Sequence, residues 1–280
     1  MGDNSVIAVG GKGANQAAAA AACGANTRFL GRVGTDAFGL MVRAELRSRG
    51  VGIEEAKQLS DASTGLAAIY VEHSGQNCIV VVPGANGRLT PTDIEGSSDL
   101  IGEAAIVVVQ CEIPIETVYR TIEVAAMHKT PVILNPAPAH QVDLTQVANK
   151  VAYLVPNETE ASQLTGTAVE SVAGAEKCAK LLLQQGIECV IITLGPRGCV
   201  VADKHSVVHI PPYHVEAIDA TGAGDAFVGC LAASIAEGRS REESVRRAVV
   251  YSALSTTKRG ALISYLTGEP ARTLLLNHSN

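Results

Sequence analysis

A glycine-rich turn that ends in an aspartate is the stretch of this sequence best suited to chemistry. It precedes an apolar, alanine-rich run at 225–237, which predicts a helix. Glycines permit a positive φ and leave no side chains above the turn. The free N–H groups before the helix then form an anion hole at Gly222, Ala223 and Gly224. A carboxylate beside a bound phosphate suggests a base for phosphoryl transfer to a hydroxyl, and Asp225 supplies one. The local alternative is that Asp225 only caps the helix.

A second glycine-rich loop, Gly10-Gly11-Lys12-Gly13-Ala14-Asn15-Gln16, follows a β-prone run at 5–9 and opens an alanine-rich helix predicted at 14–22. It is not a Walker A loop, because Lys12 is followed by Gly13 instead of Ser or Thr. It is not a dinucleotide fingerprint, because Gln16 stands where the third small residue is required. Backbone N–H groups, a lysine and an asparagine remain, and these suit the hydroxyls of a sugar. The alternative is an ordinary strand–turn–helix joint.

The order of predicted elements indicates an α/β fold. Asp36 can cap an amphipathic helix predicted at 37–49. From residue 90 onward, predicted helices, among them 91–102 and 141–149, alternate with continuous apolar strands such as 106–109 and 190–192. This alternation predicts a parallel sheet covered on both faces. Two β-prone runs, 64–72 and 77–82, predict a hairpin outside this series, which we interpret as part of a small lid. We therefore predict a three-layer α/β/α core with a mostly parallel sheet, formed by residues 11–60 and 84–280, and an incomplete β-strand lid formed by 1–10 and 61–83.

Polar residues that follow the predicted strands are further candidates, since ligands bind beyond the carboxyl ends of parallel strands. Glu112 follows the strand at 105–110, and Asn157 and Glu160 open a helix after the strand at 151–155. The next strand ends in the turn Thr193-Leu194-Gly195-Pro196-Arg197-Gly198. Each candidate has a local alternative. Glu112 could be a solvated charge, the residues at 157–160 could be an ordinary acidic helix start, and 193–198 could be a simple turn.

Composition excludes several classes of protein. The net charge of −6 gives no basic surface for nucleic acid. No run is long and apolar enough to span a membrane, and no signal peptide is recognisable. The 7 cysteines are scattered and form no Cys-x-x-Cys pair, which argues for a reduced protein without a disulfide framework or zinc site. We expect a cytoplasmic location, with the nucleus as a second compartment.

Together, these motifs resemble the ribokinase (PfkB-type) family of carbohydrate kinases. The loop Gly10–Gln16 is similar at every position to the family's sugar loop. Asp219–Asp225 is similar to its C-terminal signature, Asp-Thr-x-Gly-Ala-Gly-Asp, with Ala220 in place of the usual Thr. The run Asn135-Pro136-Ala137-Pro138-Ala139 and the Asn157–Glu160 motif also look like family motifs. The likeness extends from about residue 8 to 265.

The resemblance implies ATP-dependent phosphorylation of D-ribose at O5, with Asp225 as the catalytic base. It implies that the sugar is bound by Gly11, Lys12, Gly13, Ala14, Asn15, Glu112 and Asp225. ATP would be bound by Asn157, Thr193, Leu194, Gly195, Pro196, Arg197, Gly198, Gly224 and Asp225. Glu160 would act on Mg²⁺ through water, and an activating monovalent cation, K⁺, would lie at Asp219, Thr221, Ser255, Lys258, Gly260 and Ser264. It also implies a homodimer formed through the lid.

The sequence departs from the family in three places. Val249 replaces an Asn near the adenine, and Leu262-Ile263 replaces the usual Gln-Pro. Nothing before Gly10 corresponds to the family's first core strand, which carries an Asn-x-Asp segment. We therefore expect two strands with unpaired edges and a gap in the core between them. Two alternatives to a ribose kinase stay open: a kinase of the same fold for another sugar or a nucleoside, and a non-catalytic binding or dimerisation form.

Overall fold

The strands of the chain were located in a computed structural model, which describes residues 6–71, 77–139, 142–268, 271 and 273. In chain order they are β1 (Gly31–Gly34), β2 (Ala56–Leu59), β3 (Leu66–Val71), β4 (Asn77–Val82), β5 (Val107–Gln110), β6 (Val132–Asn135), β7 (Tyr153–Leu154), β8 (Cys189–Thr193), β9 (Cys199–Asp203) and β10 (Val207–Ile210).

Helices cover the sheets on both faces. They are α1 (Lys12–Ala22), α2 (Ala37–Ser48), α3 (Pro91–Glu95), α4 (Ser98–Glu103), α5 (Ile115–His128), α6 (Glu158–Thr165), α7 (Val172–Leu183), α8 (Ala223–Ala236) and α9 (Arg241–Ser255). Two clusters of buried apolar side chains flank the main sheet, and α1, α8 and α9 contribute to one while α5 and α7 contribute to the other. This arrangement confirms the predicted three-layer α/β/α core. No helix within the described ranges combines the length and apolar character needed to cross a bilayer.

Three separate sheets are present among the described residues. The largest has the strand order β10-β9-β8-β7-β6-β5, in which β5 to β8 pair in parallel and β8 to β10 pair antiparallel. Strands β1 and β2 form a parallel pair, and β3 and β4 form the antiparallel hairpin predicted for the lid. The link 73–76 of that hairpin lies outside the described residues. The mostly parallel sheet is therefore confirmed.

The parallel sheet is interrupted between β1 and β5. Among the described residues, β1 pairs with no strand other than β2, and β5 is the last strand of the six-stranded sheet. A cavity of about 1030 Å³ is lined by both free edges. Alanines of α1 and α8 line it together with larger side chains such as Leu89 and Ile101. This is the gap in the core that the sequence led us to expect.

Three local expectations were wrong. Residues 6–9 form no strand. The helix expected at 91–102 is divided into α3 and α4 at Gly96 and Ser97. The helix expected at 141–149 is replaced, in its described part, by two 3-10 turns at 144–146 and 148–150. The side chain of Asp143 accepts a hydrogen bond from Thr145 N, a local bond that competes with helix formation.

One carboxylate connects the β1–β2 pair to the helices beside the gap. Asp93 forms a capping box with Thr90 at the start of α3. It also accepts hydrogen bonds from Arg32 on β1 and, at 3.3 Å, from the Nζ of Lys57 on β2. Burial alone would raise the pKa of Asp93, but the hydrogen bonds from Arg32 and Thr90 outweigh it and hold the pKa well below its ordinary value.

We therefore expect Asp93→Asn to lower the free energy of unfolding at pH 7 by about 1.5–3 kcal/mol, the range for hydrogen bonds to charged groups. A lowered folded-state pKa stabilises the protein above the unfolded value of ~3.9, and this contribution is lost as the pH falls further. Urea denaturation at pH 7 and at stepwise lower pH measures the difference between wild type and variant. A difference that stays constant through the acidic range would contradict the assignment.

Candidate active site

The sugar loop forms the first turn of α1. Gly11, with a φ of 94°, is the N-cap, so the helix begins at Lys12, two residues earlier than predicted. The backbone N of Lys12 donates a hydrogen bond of 3.0 Å to Oε2 of Glu112, which follows β5. A carboxylate at a helix N-terminus is favoured by the free N–H groups and the helix dipole. Two of the predicted sugar-binding regions, the 11–15 loop and Glu112, are therefore in contact.

The start of α8 is organised around Gly222 and not around Asp225. Gly222 is the N-cap in the left-handed conformation, with a φ of 77° and no side-chain capping bond. A Cβ at Gly222 would lie 2.6 Å from the Cβ of Ala261, so no larger residue fits. Gly224, by contrast, lies within the helix without a positive φ and has open space above it, so only Gly222 uses the conformational freedom that the two glycines permit. The alternative that Asp225 serves only as the N-cap is also wrong, because Asp225 is the third residue of the helix.

The carboxylate of Asp225 is buried and held by two amide side chains of α1. Its residue is 8% exposed. Asn15 Nδ2 donates to Oδ2 at 2.8 Å, and Gln16 Nε2 donates to Oδ1 at 2.9 Å. A carboxylate has about four lone-pair sites, so each oxygen can still accept a proton from a ligand. Oδ1 of Asn15 is buried and has no hydrogen-bond partner among the described residues. A donor from a ligand would satisfy it.

Asn157 and Glu160 form a capping box at the start of α6. Glu160 N donates to Asn157 Oδ1 at 2.9 Å, and Asn157 N donates to Glu160 Oε2 at 2.8 Å. Burial raises the pKa of Glu160, while the Asn157 N–H and the charge of Lys12 oppose the rise and the charge of Asp225 adds to it. Glu160 therefore lies within electrostatic reach of both Lys12 and Asp225.

The turn after β8 is fixed to α6. Thr193 forms an isolated parallel bridge with Asn157. A 3-10 turn follows at Gly195–Arg197, and Arg197 pairs with Glu158 at the start of α6. The turn also contains Pro196 and ends at Gly198, whose φ is 81°. Leu194 is fully buried, and both of its backbone polar groups are bonded within the turn: its N–H donates to Gly198 O at 2.8 Å, and its carbonyl oxygen accepts from Arg197 N at 3.0 Å.

Two C-terminal loops meet next to the anion hole. Oδ1 of Asp219 accepts from Thr221 N at 2.9 Å, and Oδ2 accepts from Gly260 N at 2.8 Å. The N–H of Gly260 is the largest influence that lowers the pKa of Asp219. Ser255, Lys258 and Ser264 lie on the same segment as Gly260. They make no hydrogen bond to 219–221 among the described residues.

The six residues expected at the cation site share one feature. Within the described part of the chain, none of their carbonyl oxygens accepts a hydrogen bond. These residues are Asp219, Thr221, Ser255, Lys258, Gly260 and Ser264. Carbonyl oxygens that lack donors fit a hard cation, which takes oxygen ligands. No group of three or more His, Cys, Asp or Glu residues in the described ranges could hold a metal ion.

Sequence reasoning did not assign a role to Gln16 or Tyr265. Gln16 is a polar residue in an otherwise alanine-rich helix, and this signal could have revealed it. The Oη of Tyr265 donates to the carbonyl oxygen of Gly222 at 2.9 Å and so fixes the start of α8. No pattern in the sequence indicates that contact.

The chain is similar to known proteins along most of its length. The profile described as pfkB family carbohydrate kinase matches residues 2–267. The ribokinase of Mus musculus is 39% identical over 264 residues, covering 92% of this chain and 81% of the relative. A deoxyribokinase of Salmonella typhi is 36% identical over 260 residues, covering 92% and 85%. The structure of Arabidopsis thaliana ribokinase complexed with ribose and ATP has a TM-score of 0.88 at 30% identity, covering 95% and 87%.

The two glycines of the anion hole provide a matched pair of variants. Gly222→Ala places a Cβ in a left-handed backbone, which costs about 1–2 kcal/mol before the contact with Ala261 is counted. Gly224→Ala adds a methyl group in open space on a helix, so we expect stability to be unchanged or raised by up to about 1 kcal/mol. Urea denaturation measures both. Equal destabilisation by the two variants would argue against the left-handed cap at Gly222.

Proposed function

Because the chain belongs to the pfkB family of carbohydrate kinases, phosphotransferases that act on a sugar hydroxyl, we propose that it is a ribokinase. It transfers the γ-phosphoryl group of ATP to O5 of D-ribose and forms D-ribose 5-phosphate. The observation that carries this proposal is the buried Asp225, which two amides hold beside the open N-terminus of α8.

The sugar lies between the 11–15 loop and Glu112. The contact between Lys12 N and Glu112 supports this placement, because it brings a backbone donor and a carboxylate together at the mouth of the site. The unpartnered Oδ1 of Asn15 supports it as well, since a buried acceptor without a donor costs about 1–3 kcal/mol and a sugar hydroxyl would supply the donor. Asn15 therefore touches both the base and the substrate.

Asp225 accepts the proton of the attacking O5 hydroxyl. A carboxylate is a weak base at neutral pH, but it suffices when the transition state is loose and most of the catalysis is positioning and electrostatics. The N–H groups of Gly222 and Gly224 stabilise the charge on the transferred phosphoryl group. The third donor expected from the sequence, Ala223 N, donates instead to the carbonyl oxygen of Ala220 at 3.1 Å and is not free. The absence of side chains above Gly224 supports this role, because it leaves the helix N-terminus open.

ATP lies across Asn157 and the 193–198 turn, and its phosphates reach the start of α8. The attachment of the turn to α6 through Arg197 and Glu158 supports one continuous surface. Glu160 fits Mg²⁺ held through water, because its carboxylate is one isolated hard ligand and the described residues offer no multi-carboxylate cage. Mg²⁺ held there would supply positive charge to offset the negative charge of the phosphate groups.

The donor-free carbonyls around Asp219 and Gly260 fit an activating K⁺. When bound, K⁺ adds positive charge near the anion hole and orders its loops. We also place the protein in the cytoplasm, because each of its cysteines is a free thiol.

The β3–β4 lid is the proposed interface of a homodimer. Strands β3 and β4 expose large apolar side chains, among them Ile69 at 55% and Val81 at 63%. Contiguous exposed apolar surface of this kind marks an interaction site. A second copy of the chain would bury it.

The central test is ADP release by the purified chain with MgATP, K⁺ and D-ribose, followed in a coupled assay. We expect Asp225→Ala to lower kcat by at least about 100-fold, since a general base contributes roughly 10²–10⁴-fold, and to leave ATP binding nearly intact. Asp99→Ala, which changes an exposed aspartate of α4, is the matched control and should keep wild-type kcat. Substantial residual turnover in Asp225→Ala would remove Asp225 from the role of base.

The deoxyribokinase relative makes 2-deoxy-D-ribose a second candidate acceptor. The two sugars differ only in the 2-hydroxyl, so kcat/KM for each sugar separates the two functions. Fructose and adenosine complete the panel and test other acceptors of the same fold. If the chain binds ATP but releases ADP with none of these acceptors, it is a binding or dimerisation form and the kinase proposal fails.

The homodimer is tested by light scattering after size-exclusion chromatography. We expect a dimer for the wild type and a monomer for Ile69→Asp, because a charge in a buried apolar interface is strongly unfavourable. Val208→Asp places the same charge on an exposed apolar position of β10, outside the lid, and should stay dimeric. A monomeric wild type, or a dimer that survives Ile69→Asp, would place the interface elsewhere or remove it.

A further inference from the structure

Four amide side chains from three elements, α1, β5 and β6, form a hydrogen-bonded network around Asp225, and two of them bond to its carboxylate directly. Apart from Asn15, these side chains are linked to one another by hydrogen bonds. Gln110 Nε2 donates to Gln16 Oε1 at 2.6 Å, and Gln16 Nε2 donates to Asp225 Oδ1 at 2.9 Å. The same Nε2 donates to Asn135 Oδ1 at 3.0 Å. Gln16 is 2% exposed, and Asn135 is 9% exposed. Gln16 therefore lies at the centre of a largely buried network.

One backbone carbonyl group determines which side chain donates and which accepts in the bonds that join Asn135, Gln16 and Gln110. Asn135 Nδ2 donates to the carbonyl oxygen of Val155 at 2.8 Å, and a carbonyl oxygen can only accept. Asn135 must therefore turn its Oδ1 toward Gln16. Gln16 must in turn present its NH₂ group to Asn135, and its Oε1 is left for Gln110. Both hydrogens of the Gln16 amide are then committed, one to Asn135 and one to Asp225.

The network also joins the parts of the site. Gln110 and Asn135 are the last residues of the neighbouring parallel strands β5 and β6, and Val155 directly follows β7. Gln16 lies on α1, next to the sugar loop, and Asp225 lies on α8. The carboxyl ends of three strands thus set the orientation of one amide, and that amide holds the carboxylate.

We infer that Gln16 is a positioning residue for the phosphoryl transfer, an inference that rests on the proposed kinase function. Its Nε2 group donates to Oδ1 of Asp225, and the Val155 carbonyl, through Asn135, sets the orientation of this amide. Asn15 donates to Oδ2. With one donor on each oxygen, the carboxylate cannot turn about its last bond. Every protein side chain that bonds to it within the described residues is a donor. Gln16 therefore acts through Asp225 and not by binding the sugar, whereas Asn15 has an unpartnered Oδ1 that can accept a hydrogen bond from the sugar.

The first test is Gln16→Leu, which keeps the approximate size of the side chain and removes the donor. Misplacement of a catalytic group by about 1 Å can cost 10²-fold, so we expect kcat to fall by about 10–100-fold. KM for ribose and for ATP should change by less than about threefold, because the binding groups are left in place. Gln110→Leu removes only the bond to Gln16 Oε1 and leaves Asn135 to orient the amide, so it should lower kcat by a smaller factor.

The second test is Gln16→Glu, which keeps the shape and replaces the amide by a carboxyl group. Two adjacent carboxyl groups cannot both ionise easily, so the pair retains a proton to higher pH. We expect the acidic limb of the kcat–pH profile to move to higher pH than in the wild type. The other titratable groups facing this region, Lys12, Glu112, Glu160 and Tyr265, are the same in both proteins and cannot produce the difference.

Thr117→Val is the matched control. Thr117 is fully buried on α5, and its hydroxyl donates to the carbonyl oxygen of Leu89 at 2.8 Å, in the cluster on the other face of the sheet. The variant should lower the melting temperature without moving kcat or the pH profile. Circular dichroism establishes which variants fold. If Gln16→Leu does not fold, Gln16→Glu and Gln110→Leu decide the question.

The outcomes separate this inference from the function on which it rests. A wild-type chain that phosphorylates no sugar overturns the kinase function and the positioning role together. An active wild type with unchanged kcat in folded Gln16→Leu, or with an unmoved acidic limb in Gln16→Glu, overturns the positioning role alone. A fall in kcat that Thr117→Val reproduces at equal loss of stability also overturns it, because the effect would then come from stability.

Discussion

The geometry of the site depends on the close approach of α1 to α8. A Cβ at Gly229 of α8 would lie 2.5 Å from the carbonyl oxygen of Gln16 and 2.6 Å from the Cβ of Ala19, so only glycine permits this spacing. Most residues of the buried face of α1 are alanines, which present little more than the backbone to α8. Two short amide side chains can therefore reach Asp225 directly. Larger residues at this seam would separate the helices, and the base would lose its donors.

Local patterns in the sequence predicted the parts of the fold that depend on local interactions. The helix beginning after Asp36 has its predicted cap, in which Gly39 N donates to the Asp36 carboxylate, and the apolar strands lie where their continuous runs indicate. The network around Gln16 could not be predicted in the same way. Its partners are far away in the sequence, and their contact requires the strand ends and α1 to be packed together first.

Asn157 and Asp225 show why a motif at a helix start is ambiguous from sequence alone. At Asn157 the local and functional interpretations coincide, since the capping box and the proposed nucleotide site use the same residues. At Asp225 they separate, because the left-handed Gly222 takes the cap position and moves Asp225 into the helix. Asp225 is displaced from the cap position by the left-handed backbone of Gly222 and by the contacts of Gly222 with Ala261 and Tyr265. Residue spacing in the sequence does not predict these contacts.

The interruption between β1 and β5 has a consequence for how the molecule opens. A continuous sheet transmits cooperativity through its ladder of hydrogen bonds. In the part of the chain that the structure describes, the β1–β2 pair and the six-stranded sheet share no such bond. Proteins unfold locally in contiguous units, and each such unit has its own opening free energy. We expect the β1–β2 pair to open as a separate unit, because it is attached to the rest of the molecule through helices and through the hydrogen bonds of Asp93. Amide hydrogens of β1 can then exchange with solvent in openings that leave β6 to β8 intact.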